Sequence, residues 1–95
     1  MNELDGDFFN RADAHIHLSN EQLSKVSIGK VSASMLYSVA RFNAYVSARE
    51  CDSMQQMKET QQETIRYFVG EYEKMLKENL DDYIENFDGY MRSGK

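Results

Sequence analysis

The chain has 95 residues, no proline, a single cysteine and a net charge of −5, with 41% apolar and 28% charged residues. That length predicts one domain over 1–95, because single cores typically need about 100 to 150 residues, and the balance is that of a folded, helix-rich chain. An acidic chain without a Lys/Arg cluster excludes nucleic acid and anionic membrane surfaces as expected partners, since both are bound by neutralising phosphates.

The charge is uneven. Residues 1–50 hold six acids and five Lys/Arg, residues 51–95 ten acids and six. Cys51 is the only cysteine, which rules out an intrachain disulfide and fits a reducing compartment. The opening "MNELDGDFFNR" has neither a basic n-region nor an apolar h-region. No apolar run approaches the roughly 18 residues of a membrane span. The cytoplasm is the expected location, and no cofactor is implied.

The first helix is predicted over about 7–24. Phe9, Ala12, Ile16 and Leu23 fall on one stripe, widened by Phe8 and Leu18, and Asp5 or Asp7 caps it. "SKVSIGK" loses the pattern, and Gly29 reads as a turn with a left-handed cap. The second helix is predicted over about 30–49. Val31, Met35, Val39, Phe42 and Val46 step by three or four, and many small residues suit a central, well-buried position.

After "ECDS", Ser53-x-x-Gln56 has the spacing of a capping box. The helical pattern that follows passes through Met57, Ile65, Phe68, Tyr72, Met75, Tyr83 and Tyr90, and Glu73–Lys77 has the favourable i to i+4 order. This pattern is a rod on the order of 55 Å at 1.5 Å per residue, long beside the ~13 Å radius of gyration of a domain this size. Either it breaks or bends near residues 78–82, giving helices over about 53–78 and 80–91, or it continues and docks on a second chain.

"DAHIH" has the ligand order that opens metal-dependent amidohydrolases, where both histidines sit on one strand. Here the flanking periodicity is helical. Residues two apart on a helix point about 200° apart, so His15 and His17 cannot share a metal. Asp13, His17 and Glu21, at i, i+4 and i+8, are the helical alternative: one histidine and two carboxylates for zinc or a similar ion, or a plain solvated face. "GKVS" lacks the first glycine and the strand of a phosphate loop. Glu78, Asp81, Asp82, Glu85 and Asp88 form a run without a base. It reads as a solubilising face or a surface for a basic partner, with no third ligand or Glu-x-x-His pattern to suggest catalysis. Tyr37 and Tyr45 lie off the tightest stripe of the second helix; with Asp81, Asp82 and Glu85 they are the partner-facing candidates.

The segments "FFNRADAHIHLSNEQ", "GKVSASMLYSVARFNAYV" and "ENLDDYIENFDGYM" resemble a family of small, mainly proteobacterial proteins known only as a domain of unknown function, over residues 8 to 91. The resemblance implies an all-helical cytoplasmic protein with no assigned activity and no site residue to carry over. The expectation is therefore an all-α bundle of three to four helices. It acts as a non-enzymatic interaction module whose partner is a protein or a second copy in a homodimer. A metal- or ligand-binding protein using Asp13/His17/Glu21 or the acidic run is the alternative.

Overall fold

The computed structural model describes residues 5–92. They form five helices and, among the described residues, no strand: α1 (Phe8–Gln22), α2 (Ile28–Arg49), α3 (Met54–Glu59), α4 (Gln61–Glu85) and α5 (Phe87–Met91). The protein is all-α, as its periodicity predicts. Its contacts divide it into two compact units, one ending at Tyr45 and the other beginning at Val46, with the division inside α2.

In the first unit, Asp7 occupies the N-cap of α1, but its side chain accepts no backbone capping bond. Asp5 does the work instead. Its Oδ1 accepts the Asp7 N–H at 2.9 Å and Arg11 Nη1 at 3.3 Å. Those donors, the Asp7 amide first, hold the Asp5 carboxyl below its ordinary value. α1 ends without a glycine: Leu23 N–H reaches Asn20 O, Lys25 N–H reaches Gln22 O, and Ser24 Oγ donates to Glu21 O at 2.9 Å. These i to i−3 bonds tighten the last turn and use up the free carbonyls.

The left-handed cap expected at Gly29 is absent. No described glycine has a positive φ, and Gly29 lies in the first turn of α2, which starts at Ile28. The connecting turn is residues 23–27, where the Ser27 carbonyl accepts the N–H groups of Lys30 and Val31. The Ser24 hydroxyl and the Ser27 backbone carbonyl close this turn, so the glycine has no turn to make.

α1 and α2 touch where Ser19 Oγ meets Met35 Sδ at 3.5 Å. Phe8, Ala12 and Ser19 of α1 and Met35 of α2 are half-buried, while Val31, 5% exposed, is the one buried residue among those described. The expectation of a well-buried second helix is met at that point and nowhere else. Leu36, Val39 and Phe42 remain exposed. A helix of 15 residues cannot cover one of 22, and most of the α1 surface is polar.

In the second unit, the sequence places the capping box correctly and its return bond one residue late. Ser53 Oγ accepts the Gln56 N–H at 3.1 Å, and the Gln56 side chain takes the N–H of Asp52 instead of that of Ser53. The long helical stretch does not break at 78–82, because α4 runs unbroken through those residues. It is interrupted at Thr60 and Asn86, which replaces the expected spans of 53–78 and 80–91. Both residues bond back to the carbonyl four positions earlier: Thr60 Oγ1 to Gln56 O at 3.1 Å and Asn86 Nδ2 to Asp82 O at 3.1 Å. A side chain competing for a helical carbonyl bends the helix. Backbone bonds nonetheless continue across each junction, from Thr64 N–H to Thr60 O and from Tyr90 N–H to Asn86 O.

Candidate functional site

Asp13, His17 and Glu21 are all exposed on α1. Among the described residues, no three His, Cys, Asp or Glu side chains are placed to hold a metal ion. The ion pairs found there are Asp5–Arg11, Glu71–Lys74, Lys77–Asp81 and Asp88–Arg92, none involving His17. His15 and His17 lie on a helix, so the strand that the amidohydrolase order requires is not formed by these residues.

On α2, Tyr37 and Tyr45 are 67% and 53% exposed. With Arg41 they form a row at i, i+4 and i+8, and the Tyr45 ring lies 5.9 Å from that of Phe42. Cys51, just beyond the helix, is free and half-buried.

The acidic run resolves into separate, locally satisfied groups. Asp81 accepts Lys77 Nζ at 2.8 Å, in place of the Glu73–Lys77 pair that the spacing suggests. Lys77 stands four residues from both acids, and the structure uses the one toward the C-terminus. The bond raises the lysine above its ordinary value. Asp88 holds Arg92 Nε at 2.7 Å. Asp82, half-buried, accepts Asn86 Nδ2 at 2.9 Å and the Tyr90 hydroxyl at 2.7 Å, while the Tyr83 and Tyr90 rings lie 4.5 Å apart. The role of Tyr90 was readable only as an apolar stripe position. Its spacing of seven from Tyr83 and eight from Asp82 marks the same helix face two turns on. Glu85 is exposed near the end of α4.

The unabsorbed feature is the shape of α4 itself. At 100° per residue, Ile65, Val69, Tyr72, Leu76, Leu80 and Tyr83 share one side, and each is between 43% and 60% exposed. The half-buried Thr64, Phe68 and Glu71 lie about 100° around the helix from the stripe. Glu63, Glu78, Asp81 and Glu85 fall on the side opposite the stripe. No charged residue interrupts the stripe. Its polar member, Asn79, donates Nδ2 to Met75 O of its own helix at 2.8 Å.

No described helix is long and apolar enough to cross a membrane. Nothing matches among curated proteins. The NMR structure of the protein NB7890A from Shewanella sp. is similar, with 35% sequence identity and a TM-score of 0.77 over 99% of each chain. Residues 8–84 match the family described as "Protein of unknown function (DUF3144)", and the chain belongs to that family.

Proposed function

We propose that this protein is a non-enzymatic helical module that acts by self-association as a homodimer, in the cytoplasm. One observation supports this reading above the others. Val31 is the one buried residue among those described, while large apolar side chains on α2 and α4 stay open to water. Folded domains are held by buried apolar surface at about 25 cal/mol per Å², and a short chain has little margin without it. Association supplies the missing burial and stabilises the fold by mass action. The cytoplasmic location is supported by the single free thiol, Cys51.

Light scattering coupled to size exclusion, across a dilution series, tests the reading. The expected mass at high concentration is twice the 11.1 kDa of the chain, falling on dilution. A mass of one chain at every concentration overturns it.

A further inference from the structure

We infer that the apolar stripe of α4 is the seam of the dimer, and that two copies of this chain meet there antiparallel, α4 against α4. The inference rests on the self-association just proposed and names its surface.

Area decides that the stripe is large enough. Two tyrosines of roughly 200 Å² each and four smaller aliphatic side chains, about half exposed, offer on the order of 500–600 Å² per copy, or ~1,000–1,200 Å² for the pair, the lower end of stable interfaces. Flanking stems add to that. Composition decides the occupant. Interface centres are depleted of charge, and those of homodimers are the most apolar. This stripe carries no charge from Ile65 to Tyr83, so it offers nothing to select a partner of opposite sign, yet is complementary to itself. Asn79 enters the seam already bonded to Met75 O, so its burial leaves that amide hydrogen satisfied.

Charge also decides the direction. Within α4, residues 61–74 hold three acids and two bases, and residues 75–85 hold four acids and one base. Asp88 lies just beyond. A parallel pair sets the two acidic ends side by side. An antiparallel pair separates them by on the order of the length of the stripe, about 27 Å at 1.5 Å per residue, well past the ~8 Å over which exposed charges act at physiological salt.

The test places one nitroxide label per chain at Gln62→Cys, Glu73→Cys or Ile84→Cys, each in a Cys51→Ser background, and reads label-to-label distances by pulsed electron resonance. All three positions are exposed and flank the stripe, so the seam is left intact. The antiparallel seam gives the shortest distance at 73. At 62 and 84 the labels are axially offset by about 33 Å, twice eleven residues at 1.5 Å. Equal distances at all three positions overturn the orientation. A dimer mass by light scattering with no short distance at 73 overturns the surface and leaves self-association standing. A monomer by light scattering removes both.

Discussion

The two long helices, α2 and α4, are similar in length and differ in charge. α2 has 22 residues, three bases and no acid; α4 has 25 residues, three bases and seven acids. In α2 the row Val31, Met35, Val39, Phe42 and Val46 shares one side, and other apolar groups stand off it. Val31 and Met35 face α1, while Tyr37 and Tyr45 lie on another side, either side of Arg41. In α4 the stripe from Ile65 to Tyr83 has Glu63, Glu78, Asp81 and Glu85 on the opposite side, with Tyr67 among them. An apolar row backed by charge suits one long, continuous contact. Charge placement, more than hydrophobic content, separates the two roles.

The substitution expected to have the largest effect tests that division directly. Leu76→Asp puts a charge in the middle of the α4 stripe and is expected to weaken self-association on the order of 100-fold, since an unpaired charge is costly in a dry contact. Phe42→Asp on α2 is expected to change it by less than about fivefold. Sedimentation velocity over a concentration series separates the two, and the reverse ranking would move the seam to α2. Next in size is Val31→Ala. Removing two methyl groups from the one buried site is expected to cost about 2 kcal/mol. Val39→Ala, on the exposed part of the same helix, should cost about 0.5 kcal/mol or less. Urea melts at one fixed protein concentration measure both, with the concentration held because dimer stability depends on it.

The helical class and the approximate reach of α1 and α2 were legible, because apolar residues at spacings of three and four leave no other regular structure. The ends of the helices were less so, and the reasons are local. Gly29 reads as a stop, yet Ser24 and Ser27 close the turn before it is reached. The "ENLDD" segment reads as a break, yet Asn79 bonds to Met75 O while α4 continues. Asn86 makes the same kind of bond to Asp82 O at a real interruption. The two cases share their chemistry and differ in outcome, so back-bonding marks where a helix can bend without deciding that it does. At the candidate sites, spacing put Asp13, His17 and Glu21 on one face, but a face is not a coordination shell; ligands must also converge, and nothing in a linear pattern enforces that. Asp81 and Asp82, expected from the sequence to face a partner, are bonded to their own helix neighbours, Lys77 and Asn86.

Helix ends supply the next smaller effect. Ser53→Ala removes the acceptor for the Gln56 amide and is expected to cost about 1 kcal/mol. By contrast Asp7→Ala, at an N-cap whose side chain takes no capping bond, should cost a few tenths of that. Thermal melts of the two variants at one concentration rank the caps, and an equal loss would show that the Asp7 charge acts on α1 through its dipole.

The smallest effects are in pH, where the two termini of the described chain slope in opposite directions. Tyr90 donates to Asp82, and that bond raises its hydroxyl above the ordinary value of 10.0. A group raised on folding stabilises fully below its unfolded value and loses that contribution as the pH climbs through the folded one. Asp5 is lowered from 3.8 by the Asp7 amide and Arg11, so its contribution is present above the unfolded value and lost as the pH falls through the folded one. Both groups are exposed, so solvent keeps each contribution small. Tyr90→Phe should therefore melt slightly below the wild type at neutral pH, and the gap should close only on the alkaline side. Asp5→Asn should show the mirror image, with a gap that closes only in acid. No gap for Tyr90→Phe at neutral pH would mean that the ring against Tyr83, which phenylalanine keeps, and not the hydroxyl on Asp82, holds α5 at the end of α4.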